Sequence, residues 1–426
     1  MKNIAIIGLG YVGCPLAVEF GKYRPIIGFD TDEDRIRDLE AGHDRTRECS
    51  SDDLKEAKFL KYSSTLDDLH EVQIFIVTVP TPILKNKHPD LSFLLKSSEM
   101  IGQVLKKDDI IIYESTVYPG VTEDECVPVL ERTSGLKFNA DFFCGYCPER
   151  SNPGDKEHRL TNTCRIVSGS TPAVSQEINS LYGEIIKAGT FIASSIRVAE
   201  AAKVVENVQR DLNIALVNEL SQLFHLMNID TNDVLEAART KWNFSSYRPG
   251  LVGGHCVGVN THYLIYKAYE LNYNPDILVT GRRKNDTMGQ YIAIRVIKIM
   301  SRKNISIQGS SILILGITFK ENCPDIRNSK VIDIVNELKD FGCSVDIVDT
   351  QADPQHVYNL YGIRLKPIDE FKKTNGKIAI DEYDAVIIAV AHREFQLYDF
   401  SSMTSTSKVI YDVKGLLPKD MVDERL

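Results

Sequence analysis

Short apolar runs bounded by turn residues recur through the first part of the chain. Asn3–Ile7 has the continuous hydrophobicity of a buried parallel strand. A helical stretch through Lys22 and a strand at Ile26–Phe29 follow. Gln73–Val79, Asp109–Tyr113 and Phe142–Tyr146 repeat the strand signal. The period then changes. Ser195–Met227 contains neither Gly nor Pro, and its apolar residues fall at Val198, Ala201, Ala202, Val205, Leu212, Ala215, Leu216, Leu220 and Leu223. That spacing predicts one helix of over eight turns, at about 3.6 residues each, long enough to join domains and to offer a subunit interface. Helices are also predicted over Asn232–Thr240 and Asp286–Met300. After a polar stretch at Asn304–Ser311 a second α/β unit begins. Its strands are expected at Ser311–Leu315, Ser344–Val348, Asp384–Val390 and Lys408–Tyr411, with a helix over Ser329–Phe341. The expected class is α/β: two Rossmann-like doubly wound domains joined by a long central helix. The expected division is 1–194, 195–303 and 304–426. No repeat of fixed period is present; the two α/β halves are the one internal echo.

Composition narrows the function. The chain has 426 residues, 43% hydrophobic and 26% charged, with a formal net charge of -9. That balance argues against a nucleic-acid footprint. No apolar run approaches the roughly 20 residues of a membrane span. The first strand starts at once, leaving no room for a signal peptide before the first motif. Nine cysteines lie scattered without a disulfide framework, as in reduced cytoplasmic proteins. Cys144 and Cys147 form a CxxC, but no second pair completes a zinc site, so no metal is expected.

The first strand runs directly into Gly8-Leu9-Gly10-Tyr11-Val12-Gly13, and Asp30 ends the second strand 20 residues after Gly10. In this context GxGxxG is a dinucleotide-binding signature. Gly8 makes the tight turn, Gly10 lets the backbone meet a pyrophosphate, and Gly13 allows close helix–strand packing. The helix N-terminus supplies donors to the phosphates. Asp30 suits ribose hydroxyls and disfavours a 2′-phosphate, so NAD is expected rather than NADP. Arg35 is a further phosphate or adenine-side candidate. Thr81, Ser115 and Thr116 follow strand ends and are cofactor-edge candidates, or helix caps. Glu149 and Arg150 suggest a polar pocket wall, or a surface ion pair. Lys203 and Asn207 share a helix face, which Arg210 continues; they are either partnered and partly buried or solvated.

The stretch Arg248–Tyr263 reads RPGLVGGHCVGVNTHY. Its glycines, Gly250, Gly253, Gly254 and Gly258, allow close approach to a ligand, and Cys256, flanked by His255, is a nucleophile candidate on a loop. The alternative is a small structural cysteine beside turn glycines. In the second α/β unit only Gly316 remains of the glycine motif. Lys320 and Arg327 fall in the turn where phosphates tend to sit, or else are surface cations.

Together GLGYVG at 8–13, ESTVYPG at 114–120, YCPER at 146–150, AEAAKVVEN at 199–207, PGLVGGHC at 249–256 and GITFKENCPDIRNSK at 316–330 resemble the nucleotide-sugar 6-dehydrogenase family. PGLVGGHC and CPDIRNSK are most similar to its UDP-N-acetylhexosamine branch, which serves bacterial surface polysaccharides such as capsule, O-antigen and Vi antigen. The resemblance implies an NAD domain, a dimerising central helix with the cysteine loop, and a C-terminal UDP-sugar domain. It implies a cytoplasmic homodimer or larger homo-oligomer that oxidises C6 of UDP-GlcNAc, or next UDP-GalNAc, to the carboxylate, reducing two NAD. By the same resemblance Cys256 forms a thiohemiacetal and then a thioester. Lys203 and Asn207 stabilise the oxyanion, Thr116 and Lys203 assist the first proton loss, and Glu149 is the acid–base. Arg327 matches a cofactor-phosphate arginine. Glu149, Arg150, Lys203, Asn207, Arg210, Tyr247, Arg248, Gly250, Gly253 and Lys320 match the substrate side.

The chain departs from the family pattern after the cysteine, where G-V-D-P-Y-Y becomes Gly258-Val259-Asn260-Thr261-His262-Tyr263. Asn260 can hydrogen-bond but cannot serve as a base. Thr261 in place of proline suggests a looser loop, and His262 is a candidate substitute base. A homologue that binds UDP-sugar and NAD with little turnover is therefore the second reading.

Overall fold

The computed structural model describes residues 2–84, 86–150, 160–254, 256–371, 373–374, 377–403 and 407–426. The chain forms two compact units. The first comprises 1–206 and 262–272, the second 207–261 and 273–426.

The first unit is built on β1 Ile4–Ile7, α1 Gly13–Gly21, β2 Ile26–Phe29, α2 Glu33–Glu40, α3 Ser51–Glu56, β3 Leu60–Ser63, β4 Ile74–Val77, α4 Ser92–Gly102, β5 Ile110–Tyr113, α5 Val127–Ser134, β6 Phe143–Tyr146, β7 Arg165–Gly169, α6 Pro172–Gly183 and β8 Thr190–Ile192. The eight strands lie in the order β3-β2-β1-β4-β5-β6-β7-β8. Pairing is parallel except between β6 and β7. The order reverses between β1 and β4, the switch point where doubly wound sheets bind ligands. β1, β4 and β5 are buried along their whole length, hence their unbroken apolar sequences. β3 and β8 escape the sequence pattern because they are peripheral: β3 alternates polar and apolar residues, and β8 is largely exposed.

α7 spans Ile196–Leu226 as one helix of 31 residues, and α8 Thr231–Arg239 follows, capped by Asp230. α9 is Val257–Glu270. This corrects the expectation that Arg248–Tyr263 is loop throughout: the turn ends at Cys256, and the next residues are helical. The misreading is physical. Gly258, Asn260 and Thr261 are poor helix formers, but Asn260, Thr261 and Tyr263 are buried there, and packing overrides propensity. The helix expected over Asp286–Met300 is α11 Met288–Arg302; α10 Asp276–Asp286, separated from it by Thr287, is not among the expected helices.

In the second unit β9 Ser311–Leu315, α12 Val331–Asp340, β10 Ser344–Val348, α13 Pro354–Tyr361, a hairpin of β11 Lys373–Thr374 and β12 Lys377–Ile378, β13 Ala385–Ile388, β14 Val409–Asp412 and β15 Glu424–Arg425 follow in order. Five strands make a parallel sheet ordered β10-β9-β13-β14-β15. α11 packs closely on α12 because Gly289 has no side chain: a Cβ there would sit 2.6 Å from that of Asp333. Among the described residues no helix is long and apolar enough to cross a membrane.

Candidate active site

At the switch point Gly8 has φ 94°, and its amide donates to the Phe29 carbonyl at 2.8 Å. A Cβ on Gly13 would overlap the Gly8 carbonyl oxygen and Thr78 Oγ1, whereas one on Gly10 meets nothing within 4 Å. The turn is therefore closed against the sheet at Gly13 and open at Gly10, where a pyrophosphate needs room. Tyr11 and Val12 are half-buried between them. Asp30 is half-buried and shapes the turn: Leu9 N–H donates to its Oδ2 at 2.8 Å and Asp32 N–H to its Oδ1 at 3.0 Å. The acid carries further acceptor capacity for ribose hydroxyls, so the donor set fits NAD. Arg35 is buried below the turn, giving Nε to the Leu9 carbonyl at 2.8 Å and Nη2 to Asp44 at 2.7 Å.

Across the switch point, Ser115 Oγ donates to the Val79 carbonyl at 2.6 Å and Thr81 Oγ1 to the Thr116 carbonyl at 2.7 Å. The Tyr263 hydroxyl donates to the Thr81 carbonyl. Thr81 is thus a tie between two strand-end loops and not a helix cap. Sequence reasoning missed the acid that holds the next turn. Glu200, on α7, accepts from Gly120 N–H at 2.6 Å, Thr122 N–H at 3.0 Å and Thr122 Oγ1 at 2.7 Å. Burial nonetheless pushes its carboxyl up to about 7.

Glu149 lies in a second network that no motif or spacing signals. Arg165, fully buried at the start of β7, donates Nη1 to Glu149 Oε2 at 2.6 Å and pairs through Nη2 with buried Glu114. Its Nε meets Cys147 Sγ at 3.3 Å, and the Tyr182 hydroxyl donates to Glu114. Burial, opposed by Arg165 and reinforced by Glu149, pushes Glu114 up to about 7. One guanidinium thus spans two carboxylates, and its removal would leave both in poor solvent. Arg150 pairs with Glu206 at 2.8 Å and donates to the Cys164 carbonyl at 2.8 Å.

In the second unit, exposed Cys256 caps α9: its carbonyl accepts from Val259 N–H at 3.3 Å and Asn260 N–H at 2.9 Å. Neighbouring His255 lies outside the described residues. Buried Asn207 donates Nδ2 to Asn260 Oδ1 at 2.5 Å, and Lys203, buried, is one turn earlier on α7. Thr261 does not loosen the segment. It is fully buried within α9, and its Oγ1 donates to Asp211 Oδ2 at 2.6 Å. Arg282 Nη1 and Asn285 Nδ2 both reach Asp211 Oδ1 at 2.6 Å. His262 is half-buried on the same helix.

On the expected substrate side, Asn218 clamps Gly250, accepting its N–H at 2.7 Å and donating to its carbonyl at 3.0 Å. A Cβ on Gly253 would lie 2.5 Å from the Asn328 carbonyl oxygen. The Tyr247 hydroxyl bonds Gln209 at 3.0 Å, while Arg248 and Arg210 are exposed. Lys320 is half-buried with its Nζ 5.6 Å from the Phe319 ring centre. Arg327 makes a two-point pair with Asp325, Nε at 2.8 Å and Nη2 at 2.6 Å.

Three family models match the chain. They describe the NAD binding domain of the UDP-glucose/GDP-mannose dehydrogenase family over residues 2–186, its central domain over 197–287 and its UDP binding domain over 313–419. The chain is 53% identical to UDP-N-acetyl-D-glucosamine 6-dehydrogenases of Salmonella typhi and Pseudomonas aeruginosa, with 100% of it aligned to 98% and 99% of theirs. It is 47% identical to Protein CapL of Staphylococcus aureus over 98% of this chain and 97% of that one. Among solved structures, UDP-D-ManNAc dehydrogenase from Pyrococcus horikoshii superposes with a TM-score of 0.88 at 27% identity, covering 99% of this chain and 98% of that one. The chain belongs to the UDP-glucose/GDP-mannose dehydrogenase family, and it is an NAD-dependent oxidoreductase of a nucleotide sugar.

Proposed function

We propose that this member of the family oxidises C6 of UDP-N-acetylglucosamine, with UDP-N-acetylgalactosamine as the next choice, to the corresponding uronate for a bacterial surface polysaccharide. The observation that carries the choice of sugar is the 53% identity, end to end, with two UDP-N-acetyl-D-glucosamine 6-dehydrogenases. The overall change converts an alcohol, one water and two NAD to a carboxylate, two NADH and three protons. NAD, when bound, takes up the hydride at each oxidation. Gly8, Gly10, Tyr11, Val12, Gly13 and Asp30 hold it, with Thr81, Ser115 and Thr116 at its edge. Arg35 acts through the Leu9 carbonyl.

Cys256 Sγ adds to the C6 aldehyde, giving a thiohemiacetal, and after the second oxidation the same sulfur carries a thioester. Water cleaves the thioester, releasing the carboxylate and restoring the thiol. Lys203 and Asn207 offset the oxyanion charge, and Glu149, oriented by Arg165, moves protons for addition and hydrolysis. Arg150, Arg210, Tyr247, Arg248, Gly250, Gly253, Lys320 and Arg327 bind the nucleotide sugar and cofactor phosphates. The division at 194 and 303, a cytoplasmic setting, and a homodimer or larger homo-oligomer through α7 belong to the same reading. Exposed Val198, Val205, Leu216 and Leu223 along that helix support the last of these.

The test is NADH formation from each UDP-sugar, with the product resolved by mass. Two NADH per uronate from UDP-N-acetylglucosamine is expected; oxidation of UDP-glucose alone would overturn the choice of sugar. Cys256→Ser should abolish uronate formation while UDP-sugar still binds, and full turnover in that variant would sink the thioester route. Asn260→Asp keeps the acceptor that Asn207 uses and adds a base, so turnover should rise on the order of tenfold. An unchanged or lower rate would show that the chain hydrolyses its thioester without a base at that position.

A further inference from the structure

We propose that Cys14 and Cys49 are a reversible oxidation site that turns down NAD binding. Cys14 follows Gly13 in the first turn of α1, and Cys49 ends the loop between α2 and α3. Their sulfurs are 3.9 Å apart, in a pocket where Cys14 is 1% and Cys49 8% exposed. The Tyr62 hydroxyl is buried without a hydrogen-bond partner, as is Arg35 Nη1. Asp44 completes a cluster that has the makings of a metal site. Its oxygens are already spent, however: they accept from Arg35 Nη2, from Thr46 through both N–H and Oγ1, and from the amides of Glu48 and Cys49. Two thiols in contact beside a saturated carboxylate favour sulfur–sulfur chemistry over metal binding.

The pair is wired to the dinucleotide turn. Cys49 N–H donates to Asp44 Oδ2 at 2.9 Å, Asp44 Oδ1 holds Arg35 Nη2 at 2.7 Å, and Arg35 Nε holds the Leu9 carbonyl at 2.8 Å. A disulfide requires the sulfurs to close by about 2 Å. α1 is the closely packed side, since even a Cβ on Gly13 would overlap the Gly8 carbonyl oxygen and Thr78 Oγ1. The displacement therefore falls on the loop from Asp44 to Cys49. It draws the Cys49 amide from Asp44, frees Arg35 and loosens Leu9 in the turn that receives the pyrophosphate. The contact with Cys14 and burial hold the Cys49 thiol protonated, so oxidation is slow, and the near-complete burial of both sulfurs admits small oxidants and keeps out bulky electrophiles. A hydroperoxide ROOH takes two electrons and both thiol hydrogens. Its O–O bond breaks to give ROH and water, and the Sγ–Sγ bond forms.

The inference rests on the reading that Gly8–Gly13 hold NAD, and the two fail differently. Purified full-length protein is treated with hydrogen peroxide, remaining thiols are blocked, and the digest is analysed by mass. NADH affinity is followed by fluorescence. Affinity is read in place of turnover because oxidation of exposed Cys256 alone would stop turnover. A Cys14–Cys49 cross-linked peptide is expected, with affinity falling about tenfold or more and recovering with dithiothreitol. Cys14→Ser and Cys49→Ser should each keep their affinity under the same treatment; either variant alone suffices if the other fails to fold. Free Cys14 and Cys49 after Cys164 and Cys256 have been oxidised would overturn the proposal. So would a cross-link that leaves affinity unchanged, or uptake of one zinc per reduced chain that both variants lose. A reduced protein that binds no NADH would instead overturn the assignment of the turn.

Discussion

The two α/β units make the same turn and use it differently. In each, a glycine with positive φ ends the first strand, Gly8 at 94° and Gly316 at 93°. In each, the acid ending the second strand accepts the amide that follows that glycine: Asp30 from Leu9 at 2.8 Å, Asp349 from Ile317 at 2.6 Å. There the likeness stops. Asp30 is half-buried beside an open glycine turn. The Asp349 side chain is fully buried and also accepts from Thr318, Gln351 and Ala352 amides and from His392. His392 Nδ1 itself accepts the Asn322 N–H at 2.9 Å, which leaves the ring proton on Nε2, facing Asp349 and Thr318. One acid keeps capacity for a ligand, and the other is consumed by the fold. A strand-end acid in a Rossmann-like unit is thus a cofactor signal only while its oxygens have room.

The strongest way to break this contrast is at the glycines. Gly13→Ala places a methyl on the Gly8 carbonyl and Thr78, so NAD affinity should fall by about 100-fold or more, roughly 2.7 kcal/mol. Gly316→Ala meets Val390 at positive φ and should lower thermal stability by roughly 1–2 kcal/mol with NAD affinity unchanged. Calorimetry on both variants separates the effects; loss of NAD affinity in Gly316→Ala would end the division of labour. The acids should follow with smaller effects. Asp30→Asn should weaken NAD about tenfold with little change in Tm, and Asp349→Asn should lower Tm and leave NAD affinity alone.

The same contrast marks how far sequence reading reaches. Gly8, Gly10, Gly13 and Asp30 were legible because their chemistry is local: turn, helix start and acid lie within one βαβ unit. The long α7 was legible because packing writes a 3.6-residue period over its length. Arg165, Glu114 and Glu200 were not. A buried arginine meeting acids 51 and 16 residues away leaves no spacing rule, and Glu200 reads as one more charge on a helix. The helix behind Cys256 was hidden for the opposite reason. Its local residues disfavour helix, and the Asp211–Arg282–Asn285 network that anchors Thr261 is long-range.

The smallest expected effect concerns the sign of a pH dependence. Burial alone would raise Asp349, but His392 and four backbone amides win and hold it below the usual carboxylate range. Its stabilisation is present above the unfolded pKa and lost only in strong acid. Glu200 in the first unit is the reverse case, with burial overriding its donors and raising it to about 7. A raised carboxyl contributes stability below its unfolded pKa and loses it as pH rises through the folded value. Glu114 acts in the same direction, again about 7. Between about pH 5 and about pH 8 the first unit should therefore lose stability while Asp349 contributes no slope. Thermal melts across that range should show Tm falling with pH in the parent chain and falling less in Glu200→Gln, which cannot ionise. Asp349→Asn should lower the whole curve without flattening it. If Glu200→Gln keeps the parent slope, its three hydrogen bonds outweigh burial, and the two buried acids are alike after all.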